Sequence, residues 1–171
     1  MEKLKNDHYE QAFQSWMIDY DIKFSPLDQH KRTAFKNSSI KSFDFLVYPH
    51  RKKPAIVEVK GRKFTGRSLK NLTSLQSWVT TEDVRGLSIW QSVFGFDYDF
   101  FFLFAYFFQN IDVDNDGRDT YEFNSNQYLF LLIKLDDYCK FMKTRSPKWK
   151  TIDLPAEKFR SSIIQPNFWI N

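Results

Sequence analysis

The segment from Phe43 to Lys60, FDFLVYPHRKKPAIVEVK, decides which fold is predicted for this chain. It contains two apolar runs, 43–48 and 55–60, which are separated by a polar stretch with a proline at each end. Each run has the length of a β-strand, and the second is rich in β-branched residues. The pattern predicts two antiparallel strands joined by a long turn, with Gly61 ending the second strand.

Three ionisable residues interrupt these runs: Asp44, Glu58 and Lys60. Because side chains alternate along a strand, Glu58 and Lys60 share one face. If the two strands pair, Asp44 and Glu58 converge, and convergent carboxylates suit Mg²⁺, which prefers oxygen ligands. A Glu-x-Lys pair is also common as a weak ion pair on a solvated edge. Asp44 is harder to explain in that way, because an unpaired buried carboxylate is costly.

The rest of the chain predicts alternating helices and strands, and therefore an α/β domain with a mixed β-sheet flanked by helices. A single domain is expected to span residues 1–171, a length that can bury a substantial core. The predicted elements besides the two strands are a helix at 7–20, a short strand at 21–25, a helix that starts at a Thr80–Asp83 capping box, strands at 98–108 and 127–135, a short helix at 136–143, and a weakly helical or irregular tail at 151–171.

Composition excludes several classes of protein. The single cysteine, Cys139, excludes an intramolecular disulfide framework and a multi-cysteine zinc site. The N-terminal residues are too polar for a signal peptide, and the apolar run Phe100–Phe108 is far shorter than the roughly 20 residues that cross a bilayer. A cytoplasmic protein with no membrane partner is therefore expected.

Positive charge is concentrated between Arg51 and Lys70, where eight Lys or Arg residues accompany one acid, Glu58. A basic segment beside a metal site is what a phosphate backbone would need. The four residues that follow Lys60 are the better candidates for binding nucleic acid, namely Arg62, Lys63, Arg67 and Lys70. The segment Lys143–Lys150 is a second candidate, in which Trp149 either stacks on a base or is anchored in the core. The same two interpretations apply to Trp78.

The pattern Asp44 … Glu58–Val59–Lys60 resembles the motif of the PD-(D/E)xK, or restriction-endonuclease-like, nuclease superfamily, whose core order is αβββαβ. More narrowly, His8–Tyr9–Glu10 with Ala12–Phe13 resembles the motif of a bacterial family known as HYExAFE. Further blocks extend this resemblance over most of the chain: KSFDFLVYP, VEVKGRKFTGR, WVTTEDVRGL and LDDYCKFMKTRSPKW. One departure is Phe43, which stands where the motif name has proline.

The resemblance implies that Asp44 and Glu58 are metal ligands together with the backbone carbonyl of Val59, and that Lys60 is the catalytic lysine. It adds Glu10 as a fourth catalytic residue, although an ordinary glutamate at the border of the buried stripe fits equally well. The implied activity is Mg²⁺-dependent hydrolysis of phosphodiester bonds in nucleic acid, with DNA as the expected polymer and Mn²⁺ as a second metal.

Two alternatives remain open at this point. The same fold could serve as a catalytically inactive nucleic-acid-binding or assembly module. The chain could also act as a homodimer, because nucleases that cut both strands often dimerise.

Overall fold

The computed structural model describes residues 7–27 and 41–171. Within these ranges the helices are α1 (His8–Asp19), α2 (Thr81–Phe94), α3 (Leu135–Phe141), α4 (Ala156–Ser162) and α5 (Pro166–Ile170). The strands are β1 (Lys23–Pro26), β2 (Phe45–Tyr48), β3 (Ala55–Phe64), β4 (Val79–Thr80), β5 (Asp99–Phe108), β6 (Tyr121–Phe123), β7 (Asn126–Lys134), β8 (Lys143–Ser146) and β9 (Thr151–Asp153). The predicted α/β class and the αβββαβ core order are confirmed.

A six-stranded mixed sheet organises the molecule, in the order β1-β2-β3-β5-β7-β6. β3 and β5 pair in parallel along their full lengths, and the other neighbours pair antiparallel. The predicted hairpin of β2 and β3 is present, with Phe45 opposite Val57. β5 is buried along most of its length, as expected for a central strand covered on both faces.

Helix α1 covers one face of the sheet. Its buried residues pack in one apolar cluster with Val57 and Val59 of β3. The strand β3 does not end at Gly61 as predicted but continues to Phe64. A Cβ at position 61 would lie 2.1 Å from Cδ2 of Tyr9, so the glycine makes room for the Tyr9 ring and the strand passes beneath it. This glycine permits a close helix–strand approach and does not act as a strand terminator.

Helix α2 covers the opposite face, together with α3 and α4. Val84 and Leu87 of α2 share an apolar cluster with Ile56 of β3. The predicted capping box is confirmed: the Thr80 hydroxyl accepts the Asp83 N–H at 3.1 Å, and the Asp83 carboxylate accepts the Thr80 N–H at 2.9 Å. The start of α2 is therefore fixed at the face of β3 that carries Glu58 and Lys60.

A second, smaller sheet with the strand order β4-β9-β8 was not predicted. Its strands have only two to four residues each, too few to show a two-residue alternation in the sequence. α5 and β6 were also missed, whereas α4 confirms the weakly helical part of the tail. No helix in the described parts of the chain is long and apolar enough to cross a membrane.

Candidate active site

Asp44 lies immediately before β2, one residue outside the strand in which the sequence placed it. It is only 8% exposed, and its Oδ2 accepts a hydrogen bond from the Val59 N–H at 2.7 Å. The Asp44 carboxylate thus replaces a backbone carbonyl as the hydrogen-bond acceptor for the Val59 N–H. This bond to a backbone N–H fixes the orientation of the carboxylate and stabilises its charged form.

Glu58 is also 8% exposed, although it lies in the interior of a ten-residue strand. Its Oε1 is 2.9 Å from Nζ of Lys60 and 3.7 Å from Nζ of Lys41. Glu58 and Lys60 therefore share one strand face, as predicted, and form a largely buried ion pair. A buried carboxylate is tolerated when it is paired in this way.

Asp83 joins this cluster from α2. Its Oδ1 lies 3.0 Å from Nζ of Lys60 and also forms an ion pair with Lys41, while its Oδ2 accepts the Thr80 N–H. At 5% exposure it is the most buried acid of the cluster. The sequence indicated Asp83 only as a helix cap. Its contact with Lys60 depends on how α2 packs against β3, which local sequence does not reveal.

Lys41 places a second ammonium group beside the carboxylates. Its backbone carbonyl accepts a hydrogen bond from the Trp90 indole at 2.7 Å, and Gly86 of α2 leaves room for its Cβ. Burial and the neighbouring Lys60 lower the pKa of Lys41, whereas Glu58 and Asp44 act in the opposite direction. The charges of Glu58 and Asp44 therefore both favour the protonated form of Lys41.

The other predicted residues are spread more widely. Glu10 is half-buried on α1, whose apolar residues pack against the sheet face opposite Glu58, and its catalytic role stays a prediction. Lys63, Arg67 and Lys70 are exposed. Arg62 is half-buried, and its guanidinium lies 3.9 Å from the centre of the Trp78 ring while Nη1 donates to the Gly61 carbonyl at 2.7 Å. Nucleic-acid binding by these four basic residues stays a prediction.

The donor set fits a hard divalent cation. Mg²⁺ is commonly held by one or two carboxylates together with waters and substrate phosphates. Asp44 and Glu58 offer two carboxylates, and the Val59 carbonyl next to Glu58 offers a further oxygen ligand. In the described parts of the chain, no group of three or more His, Cys, Asp or Glu side chains is placed to hold a metal ion. Any ion here would therefore keep several ligands from water or substrate.

A cavity of 500 Å³ lies elsewhere, at the beginning of β5, where Phe96, Asp99 and Lys134 contribute to its wall. None of the predicted site residues lines it. The candidate site is instead a charged cluster at the junction of β2, β3 and α2.

Comparison with known proteins supports the fold. The structure resembles that of Hjc, a Holliday junction resolvase from the archaeal hyperthermophile Archaeoglobus fulgidus. The TM-score is 0.56 with 9% sequence identity, and the match covers 97% of this chain and 100% of the resolvase chain. No protein-family model and no curated protein matches the sequence. This chain has a restriction-endonuclease-like fold. The narrower resemblance to the HYExAFE family is not confirmed.

Proposed function

We propose that this protein is a divalent-metal-dependent nuclease whose active site comprises Asp44, Glu58 and Lys60. One observation carries the proposal: the buried carboxylate of Asp44 accepts the Val59 N–H of β3, next to the largely buried ion pair of Glu58 with Lys60. Burial of a charged group is unfavourable unless the group is paired, so several such groups in one place indicate a candidate functional site. The restriction-endonuclease-like fold supports the proposal, because the resemblance associates this fold with phosphodiester hydrolysis.

Asp44, Glu58 and the Val59 carbonyl would hold Mg²⁺ or Mn²⁺. When bound, such an ion supplies a Lewis acid for the phosphate and lowers the pKa of a coordinated water. Lys60 presents its ammonium group on the same face as Glu58, where it can stabilise the negative charge on the phosphoryl oxygens in the transition state. Asp83 holds that ammonium group in place through its 3.0 Å contact. Glu10 remains a candidate fourth residue.

DNA is the proposed substrate polymer. The structural neighbour is described as a Holliday junction resolvase, and the basic residues of β3 and its following loop lie next in sequence to Lys60. Side chains alternate along a strand, so Lys60 and Arg62 share one face of β3. Arg62 is therefore the first of the four predicted basic residues that a phosphate backbone bound at the site would reach.

The decisive experiment compares cleavage of supercoiled, linear, single-stranded and branched DNA, and of RNA, with Mg²⁺ or Mn²⁺ and with chelator. Glu58→Gln and Lys60→Met keep side-chain size and are expected to lower cleavage by at least about a hundredfold, in line with the loss of a group that stabilises the transition state. Glu82→Gln and Lys23→Met are matched controls, since both residues are exposed and neither belongs to the candidate site or to the predicted nucleic-acid-binding residues. If wild type and Glu58→Gln are equally inert on every substrate, the nuclease proposal is wrong.

A non-catalytic nucleic-acid-binding module is the second candidate, and one observation favours it. Glu58 already contacts the ammonium groups of both Lys41 and Lys60, so its charge is compensated without a metal ion. On this alternative, Glu58→Gln changes stability but neither cleavage nor Mn²⁺ affinity. Isothermal titration with Mn²⁺ separates the two candidates, because the nuclease proposal expects Glu58→Gln to weaken metal binding.

A further inference from the structure

The hairpin Lys143–Asp153, formed by β8 and β9, is rich in positive charge. It contains four Lys or Arg residues and one acid, Asp153. All four basic side chains are exposed: Lys143, Arg145, Lys148 and Lys150. Since the whole protein carries only +4, the chain outside this hairpin and the segment 51–70 is net acidic. The hairpin and the segment 51–70 are therefore both more basic than the chain as a whole.

The structure brings these two stretches together at Trp78. The guanidinium of Arg62 lies 3.9 Å from the centre of the Trp78 ring, and that of Arg145 lies 5.6 Å from it. Arg62 comes two residues after Lys60 on β3, and Arg145 belongs to β8. A continuous line of cationic and aromatic groups thus runs from the candidate active site to the hairpin.

The tip of the hairpin is also fixed beside the start of α2. The Lys150 carbonyl accepts the Thr81 N–H at 2.9 Å, and Thr151 pairs with Thr80 in the small sheet. Asp83, which contacts Lys60, lies in the first turn of the same helix. The tip therefore cannot move away from the site without breaking the β4–β9 pairing.

Trp149 projects from this tip with 69% of its surface exposed, so its interpretation as a core anchor is wrong. The turn beneath it is held by two hydrogen bonds, from Trp149 N–H to the Ser146 hydroxyl and from Lys150 N–H to the Pro147 carbonyl, each at 3.3 Å. The Lys148 ammonium lies 5.2 Å from the centre of the indole. An exposed aromatic ring flanked by cations is the usual arrangement for stacking on a nucleic-acid base.

We propose that the β8–β9 hairpin binds single-stranded nucleic acid next to the cleavage site, with Trp149 stacking on an unpaired base and Arg145 and Lys148 contacting phosphates. A base inside a duplex does not offer its face to such a ring, whereas a frayed end, a loop or a branch point does. The inference rests on the proposed function for the identity of the polymer, and it adds a preference for substrates with unpaired nucleotides.

The stacking part is tested by fluorescence anisotropy in EDTA, which measures binding without cleavage. The probes are a labelled oligothymidylate of about 20 nucleotides, longer than the roughly 4–16 nucleotides that one small domain covers, and a duplex of equal length. Trp149→Ala is expected to weaken oligothymidylate binding by about 5- to 150-fold, the range of one base–aromatic stack, and duplex binding much less. Phe96→Ala is the matched control, because this 94% exposed ring lies outside the hairpin. Equal affinities of Trp149→Ala and Phe96→Ala would overturn the proposal.

The electrostatic part uses the salt dependence of the same binding. Arg145→Ala/Lys148→Ala should lower the slope of log affinity against log salt by about 1.4, since each phosphate contact on a single strand contributes about 0.7. Arg51→Ala/Lys52→Ala removes the same charge from the exposed β2–β3 turn and should leave the slope unchanged. An identical slope change in both double variants would show a non-specific charge effect and overturn the proposal. Binding of a protein partner instead of nucleic acid would appear as no measurable affinity for either probe, which overturns it too.

The result is separable from the proposed function. Glu58→Gln should keep the affinity for oligothymidylate while losing cleavage. If Glu58→Gln leaves cleavage unaffected while Trp149→Ala loses affinity, the nuclease assignment of this site fails and the hairpin proposal stands.

Discussion

Asp83 both caps the start of α2 and contacts Lys60 of the candidate site. One oxygen of its carboxylate caps α2, and the other contacts the ammonium groups of Lys60 and Lys41. Helix-capping carboxylates are normally solvent-exposed, whereas Asp83 is 5% exposed. The position of Lys60 therefore depends on where α2 begins, and the two functions of Asp83 can be separated by mutation.

Asp83→Asn retains a capping oxygen but removes the charge that faces Lys60. We expect kcat for DNA cleavage to fall by about tenfold, equivalent to roughly 1.4 kcal/mol, with KM little changed. Asp83→Glu should restore part of the activity. Thr80→Ala is the matched variant, because it removes the hydroxyl cap and keeps the carboxylate. It should lower the free energy of unfolding by about 1 kcal/mol while leaving kcat near the wild-type value. A loss of kcat in Thr80→Ala equal to that in Asp83→Asn would show that Asp83 acts only through stability.

Residue-level prediction from the sequence succeeded where the relevant contacts are local. The shared face of Glu58 and Lys60 follows from strand alternation, and the Thr80–Asp83 capping box follows from a spacing of three. The contacts of Asp83 with Lys60 and of Lys41 with Glu58 join residues 23 and 17 positions apart, as their numbers show. No periodicity encodes contacts of that kind, because they depend on how a helix docks against a sheet.

At the level of elements, the packing of α1 against β3 depends on Gly61. A methyl group there would overlap Tyr9 Cδ2, at 2.1 Å, and the neighbouring ring carbons. The Tyr9 ring is 8% exposed and packs between the helix and the strand, so it has little room to move.

Gly61→Ala is therefore expected to destabilise the protein by about 1–3 kcal/mol, the usual cost of overpacking a core. Urea unfolding followed by circular dichroism measures this change. Lys63→Ala on the same strand is the control, because Lys63 is exposed and its replacement leaves the helix–strand contact intact. Combining Gly61→Ala with Tyr9→Ala should cost less than the sum of the two single variants, since the smaller side chain at position 9 admits the methyl group. Strict additivity would contradict the contact.

Element prediction failed where elements are short. Residues 143–153 were expected to contain the end of a helix and the start of a weakly helical or irregular tail, but they form the β8–β9 hairpin. β8 is exposed along almost its whole length, so it shows no apolar face in the sequence, and its partner β9 has only three residues. Long, buried β5 was predicted almost to its ends. The difference reflects burial, because hydrophobic patterning marks only those strands that contribute to the core.

At the level of the whole molecule, buried tyrosines influence how stability responds to alkaline pH, and Tyr106, Tyr128 and Tyr138 are the most deeply buried of them. Burial raises the pKa of Tyr106 and of Tyr138, and raises that of Tyr128 to about 12. Tyr106 and Tyr138 donate hydrogen bonds to the carbonyls of Gln76 and Ser77, the residues just before Trp78. The Tyr128 hydroxyl is 2.8 Å from Nδ1 of His8. The phenols of Tyr106 and Tyr138 therefore bind the segment just before Trp78, and the phenol of Tyr128 contacts α1.

The sign of the pH effect follows from proton linkage. The native state keeps phenolic protons that the unfolded chain releases near pH 10, so the stabilisation is complete below that pH and is lost as pH rises towards 12. The lowered pKa values of Lys41 and Arg62 act in the opposite direction and make the decline shallower.

We expect urea midpoints to be constant between pH 8 and 9 and to fall steeply above pH 10. Tyr128→Phe should flatten this decline, whereas the half-exposed Tyr48→Phe should not. Equal slopes in the two variants would mean that alkaline unfolding is driven by a different group.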